Sequence, residues 1–233
     1  NDAQNIKKFA DEAQAGSYQI VVDDGEREED VIMLNTAAPP FDNILARQAV
    51  AYATDKDQYN DIMNQNLFEI ADSPFRESSK WYAKTPYPEY DPAKAAELVQ
   101  QYTAETGDPL SFTLYNSGDN RSGIETLQAQ FQAVGMQVQV DLVPQDDFVT
   151  MAALGNFQAL EWRQFGGLDP DYEYLWWSGT NAADVGGLGL NFARNVDPVL
   201  DAALEDGRSS TDFDTRYEAY KTVQTQLNAD LPY

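Results

Sequence analysis

Residues 110–142 read LSFTLYNSGDNRSGIETLQAQFQAVGMQVQVDL, and this stretch decides the fold class. Leu110 to Tyr115 alternates as a half-buried strand does, and NSGDNRSG is rich in turn formers. Ile124, Leu127, Phe131 and Val134 then recur at helical spacing, closed by Gly135. Met136, Val138, Val140 and Leu142 fall on one side of a second alternating run. Strand, helix and strand with short joints predict a βαβ unit: two parallel strands and a right-handed crossover.

Working outward, Asp91-Pro92 opens a helix, with Asp as cap and Pro at the first helical position; Ala95, Leu98, Val99 and Tyr102 are its buried stripe and Gly107 its end. Upstream, residues 1–16 read as the end of a helix carrying Ile6, Phe9 and Ala10, with Gly16 as a stop. YQIVV at 18–22 reads as a strand, 23–30 as a charged turn and VIMLNT at 31–36 as a strand buried on both faces. Asp42 is expected to cap a helix from Ile44 to Ala53, and Thr54 and Asp57 to start another reaching Asn64. Residues 70–90, with Pro74, Pro86 and Pro88, are expected as a long loop. Downstream, helices are expected over 146–154, 197–205 and 212–227, and a strand over 157–162. The expectation is one α/β domain with five strands and seven helices.

Composition excludes more than it assigns. The 233 residues contain no cysteine and no histidine. Thiolate and imidazole chemistry, disulfides and Cys/His metal sites are therefore ruled out within the chain. We expect no cofactor and no metal. The net charge is −24, from 39 acidic and 15 basic residues, and Lys7-Lys8 is the longest basic run. Such a chain repels phosphate backbones, so nucleic acid is not an expected partner. No apolar run of 18 residues is present. The chain opens NDAQNIKK without a signal peptide, which suits a cytosolic protein or a processed piece of a longer one.

Binding chemistry concentrates in EWRQFGGLDPDYEYLWW, residues 161–177, which holds three of the four tryptophans. Aromatic faces beside a few fixed polar groups are the usual make-up of a small-molecule cleft, and equally of a core. On a strand, Trp162 and Gln164 face one way and Arg163 and Phe165 the other. Gly166-Gly167 and the Asp169-Pro170-Asp171 turn follow. Asp169 and Asp171 are in principle an acid–base pair or cation ligands, although no EF-hand pattern surrounds them. The glycine-rich run GGLGLN at 186–191 lacks the lysine and the helix start of a phosphate loop.

The order of motifs resembles family 5 extracellular solute-binding proteins of ABC importers. Asn35, Pro40, Phe41, Asp42, Arg47, Ala49, Ala53 and Asp55 match one family segment, and Tyr90 to Leu98 a second. Val134-Gly135-Met136 before a strand matches a third. Asn191, Asp201, Asp212, Arg216, Tyr220, Gln224 and Asp230-Leu231-Pro232 fit the closing segment. The resemblance implies a single lobe of a periplasmic-binding-protein-like (type II) fold, with a mixed, partly parallel sheet flanked by helices. Residues 1–233 would be the second, C-terminal lobe, partnered by an N-terminal lobe of the same protein and by importer permease subunits. The protein would be exported, either periplasmic or a cell-surface lipoprotein. A peptide or oligosaccharide would lie in the interlobe cleft against Trp162, Arg163, Phe165, Gly166, Asp169, Asp171 and Tyr172. In peptide-binding members an aspartate before the turn meets the peptide amino terminus; its counterpart here falls near Gly166. Two rival readings are a glycoside hydrolase using Asp169 and Asp171, and an interaction domain dimerising through Trp176-Trp177.

Overall fold

The computed structural model describes residues 3–21, 27–118 and 120–233. In chain order the elements are α1 (Ala3–Gln14), β1 (Arg27–Leu34), α2 (Ile44–Ala53), α3 (Lys56–Asn64) and α4 (Pro92–Thr106). Then follow β2 (Ser111–Asn116), α5 (Arg121–Ala133), β3 (Gln137–Leu142), α6 (Gln145–Leu154) and β4 (Ala159–Gly166). A 3-10 turn at Pro170–Glu173 leads into the short α7 (Tyr174–Trp177), and the chain closes with α8 (Pro198–Ser209) and α9 (Phe213–Asp230).

The expected βαβ unit is present: β2 and β3 are parallel, in register from Ser111 opposite Gln137 to Asn116 opposite Leu142. The full sheet runs β1-β4-β2-β3. β4 is parallel to β2 and antiparallel to β1, so the sheet is mixed. Pairing of β1 with β4 runs from Arg27 opposite Gly166 to Leu34 opposite Ala159.

Strand parity assigns the two faces. Leu34 and Ala159 point into a core shared with α2, α4 and α5, where Phe41, Phe112, Ile124 and Phe131 are buried. Met33 and Leu160 point the other way, against Phe148 and Ala152 of α6 and against Phe192. A third cluster joins α8 and α9 to Phe75, Trp81 and Trp177. Full burial of one such Phe or Leu contributes roughly 1.5–3 kcal/mol.

Local signals worked where the chain ends its own helices. Asp91 Oδ1 accepts from the Lys94 amide at 2.9 Å, Pro92 is the first helical residue and Gly107 closes α4 at φ +82°. They failed where a distant segment decides. Residues 18–21 of YQIVV form no strand, and Val22 lies outside the described residues. The charged run from Arg27 to Asp30 belongs to β1, because β4 pairs with it and offers Arg163 opposite Asp30. The strand therefore ends at Leu34 and not at Thr36. The cap of α2 is Asn43, whose side chain accepts from the Leu45 amide at 2.8 Å, and not Asp42, which closes the preceding turn. The described residues contain four strands and nine α-helices; the helix expected to reach Asn64 is α3, capped by Asp55, and the four-residue α7 carries too few turns to show a period.

Candidate functional site

β2, β3 and β4 point their carboxyl ends to the same side of the sheet, where ligands of open α/β folds bind. Past that edge β4 extends with β1 as a two-stranded ribbon, since β2 pairs only with Ala159 and Leu160 of β4. The chain leaves the sheet after Gly166, at the end of that ribbon.

The residues singled out in this stretch divide. Trp162 turns to the α6 face, stacked on Phe148 with ring centroids 5.3 Å apart and edge-on to Phe192 at 5.4 Å. Arg163 and Phe165 lie on the opposite face, so the three do not line one wall. Arg163 bridges two carboxylates of β1, Glu28 at 2.9 Å and Asp30 at 3.0 Å. Phe165 is 61% exposed and Tyr172 57%. Leu168 and Leu175, not singled out from sequence, are exposed too.

The Asp-Pro-Asp turn is held from outside. Asp169 Oδ1 accepts from the Asp171 amide at 3.0 Å, and both its oxygens accept from Arg216 of α9. The Arg216 hydrogen bonds hold the Asp169 carboxyl below its usual range, and Asp169 raises the guanidinium in return. Arg216 also lies over the rings of Trp81 at 4.9 Å and Tyr220 at 5.5 Å. Asp171 pairs with Arg208 of α8 at 3.2 Å, whose guanidinium sits 3.8 Å over Tyr174. Each aspartate thus has an arginine partner, and Asp169, held ionised by its own, is poorly set to be the proton-donating acid of a hydrolase. Trp177 is buried against Phe75 and Trp176 packs edge-on to Phe192, so this pair is internal packing and not a dimer surface.

Gly167 is set by a close approach. A Cβ there would meet Tyr172 Cβ and Cγ at 2.8 Å. Gly167→Ala should lower stability by about 1–3 kcal/mol, the usual cost of overpacking, in a chemical denaturation curve. Adding Tyr172→Gly, which removes both of those atoms, should recover most of it; a double variant as unstable as the single one would place the strain elsewhere.

Sequence reasoning passed over a polar knot at the same edge. Glu161 of β4 is partly buried. Its Oε1 accepts from the Tyr59 hydroxyl of α3 and from Asn120 Nδ2 at the head of α5. Its Oε2 accepts from Asn116 Nδ2 at the end of β2, at 2.9 Å. Burial pushes this carboxyl up to about 7 against the opposing hydrogen bonds, and burial likewise raises the Tyr59 hydroxyl. The signal that would have found the knot was topological: Asn116, Asn120 and Glu161 all lie at carboxyl ends of parallel strands or in the turn that follows.

Solved structures share this architecture. The periplasmic binding protein DppA of Helicobacter pylori, in complex with the peptide STSA, superposes with a TM-score of 0.80 at 20% identity, over 100% of this chain and 44% of that one. NikZ of Campylobacter jejuni, in complex with Ni(L-His), gives 0.77 at 20% identity, over 97% and 51%. At these identities the likeness establishes the fold, one portion of a periplasmic binding protein. By sequence, the chain is 27% identical over 210 residues to di/tripeptide-binding protein 1 of Pseudomonas aeruginosa, covering 86% of this chain and 38% of that protein. It is 28% identical over 220 residues to the glutathione-binding protein GsiB of Pectobacterium atrosepticum, covering 87% and 40%. The chain therefore spans about two-fifths of the length of these relatives. The family model of the bacterial extracellular solute-binding proteins, family 5 (middle region), matches residues 2–185. The chain belongs to that family, whose members bind solutes. No helix among the described residues is long and apolar enough to cross a membrane.

Proposed function

We propose that residues 1–233 are one lobe, the second, of a two-lobe solute-binding protein, and that its ligand is a peptide or peptide-like solute held at the carboxyl edge of β4. The single observation that carries this reading is the tethered loop. Phe165, Leu168, Tyr172 and Leu175 are exposed on a segment that two arginines of α8 and α9 hold in place. Exposed apolar side chains on a fixed loop are the mark of a surface waiting to be covered. Peptide-binding relatives favour a peptide over an oligosaccharide as the ligand. Closure of the two lobes would then complete the contacts and present the loaded protein to importer permease subunits outside the cytoplasm.

Calorimetry on the complete protein carrying this chain tests it, with the dipeptide Met-Leu, reduced glutathione and maltotriose as probes. The expected result is saturable heat with a peptide probe. Tyr172→Ala should weaken it about tenfold, the equivalent of about 1.4 kcal/mol for one uncovered aromatic face. The isolated chain should bind at least about a hundredfold more weakly, having lost the contacts of the companion lobe. Heat with maltotriose alone, or submicromolar affinity from the isolated chain, would overturn the proposal.

A further inference from the structure

The Glu161 knot has a wiring that goes beyond bracing. Asn116 and Asn120 each use both ends of their side-chain amide. Their Nδ2 groups donate to Glu161, while Asn116 Oδ1 accepts from the Gly118 amide at 2.9 Å and Asn120 Oδ1 from the Gly123 amide at 3.1 Å. Asn120 is the cap of α5. An ionised carboxylate offers only acceptor sites, so it dictates which way both amides point. That orientation in turn sets the turn after β2 and the first turn of α5. Asn120 Nδ2 also donates to Tyr59 Oη at 2.9 Å, which ties α3 into the same wiring.

We propose that Glu161 is a proton-operated positioning residue: ionised, it locks Asn116, Asn120 and Tyr59 in the arrangement described and so orders the ligand edge, and protonated, it releases them. Protonation turns one acceptor into a donor. One of the three donors then loses its partner, and an amide that rotates to compensate faces its N–H groups toward Gly118 or Gly123. The groups around Glu161 make the neutral form accessible. Burial is the main cause, and Asp30 of β1 adds a second negative charge. Arg163, the next cation on the strand, is already held by Glu28 and Asp30. Tyr59 comes from α3, and β2 and α5 contribute the uncharged Asn116 and Asn120. With the carboxyl midpoint at about 7, the ionised fraction changes from roughly ten to one at pH 8 to one to ten at pH 6.

The brace is tested on this chain without ligand. The Glu161 carboxyl carbon is titrated by NMR, and exchange of the Gly118 and Gly123 amides is followed at pH 6 and pH 8 after correction for intrinsic rates. The expected results are a midpoint within a unit of 7 and protection that falls about tenfold from pH 8 to pH 6. Glu161→Gln should remove the pH dependence, and Tyr59→Phe should move the midpoint upward, since the hydroxyl favours the carboxylate. A midpoint below 5, or the same pH dependence in wild type and Glu161→Gln, would overturn the brace. Its consequence for affinity rests on the proposed function and is read separately with Met-Leu on the complete protein: binding should weaken about tenfold at pH 6 and not in Glu161→Gln. Equal affinity at both pH values would refute the link to the ligand edge. A normal brace titration with no Met-Leu binding at either pH would count against the dipeptide reading and leave the brace standing.

Discussion

Replacing Gln224 by alanine should destabilise the chain by about 3–5 kcal/mol, more than a typical surface or partly buried change. Gln224 lies on α9 and is fully buried. Its Oε1 accepts from the Ser73 hydroxyl at 2.8 Å and from the Ala83 amide at 2.9 Å. Its Nε2 donates to the carbonyls of Trp81 and Tyr220, at 3.0 and 2.9 Å. One side chain thereby satisfies the 73–83 segment, which has no regular structure of its own to absorb these groups. Truncation orphans Ser73, Ala83 and Trp81 together, each buried polar group costing roughly 1–3 kcal/mol less any relaxation. Urea denaturation should show the loss, and limited proteolysis should cut first within 70–90. A loss under about 1 kcal/mol would mean that water replaces the side chain, and that the long loop holds itself.

A loss of similar size, about 3–5 kcal/mol, is expected for Phe131→Ala. Phe131 is fully buried on α5, its ring 6.0 Å from Phe112 of β2. Removing it opens a cavity between the crossover helix and the parallel strands it covers. Ile124→Val, about two turns nearer the Asn120 cap, should cost only about 0.5–1.5 kcal/mol by the same accounting. A Phe131→Ala loss no larger than that of Ile124→Val would show that α5 collapses onto the sheet without a void. Retained fold with raised exchange at Gly123 would show the core transmitting its loosening to the site edge.

Legibility in the sequence followed distance along the chain. The βαβ unit was readable because each of its strands, turns and helix carries its own period and its own stop, from Leu110 to Leu142. The family motifs were readable as a string, and the structure shows what several of them do. Asn191 donates to the carbonyls of Trp177, Ser178 and Asn195, and Asp201 accepts from the Gly179 amide. Arg216 and Gln224 anchor a turn and a loop. In this chain these residues are polar ties between segments, Asn191 and Gln224 fully buried and Asp201 and Arg216 partly so.

The candidate site was readable as a stretch but not as a surface. Alternation alone placed Arg163 and Phe165 on one side and Trp162 on the other, and that parity holds. Which side was core depended on α6 and Phe192 meeting Trp162. Asp169 and Asp171 looked like free carboxylates until α8 and α9 brought Arg208 and Arg216 to them from some forty residues downstream.

By itself, then, the amino-acid order determined an α/β chain with a parallel βαβ unit, without histidine or cysteine chemistry, and with membership in a solute-binding family legible from its motifs. The fold class and the excluded chemistry follow from local periodicity, turn chemistry and composition, and the membership from the resemblance of its motifs; none of them needs knowledge of what lies across the sheet. Tertiary structure alone decided that β1 pairs with β4, that both aspartates of the turn are paired with arginines, and that Glu161 gathers Tyr59, Asn116 and Asn120. Each of those is a meeting of segments distant in sequence, and a carboxylate's charge is set by the neighbours and burial that such a meeting supplies.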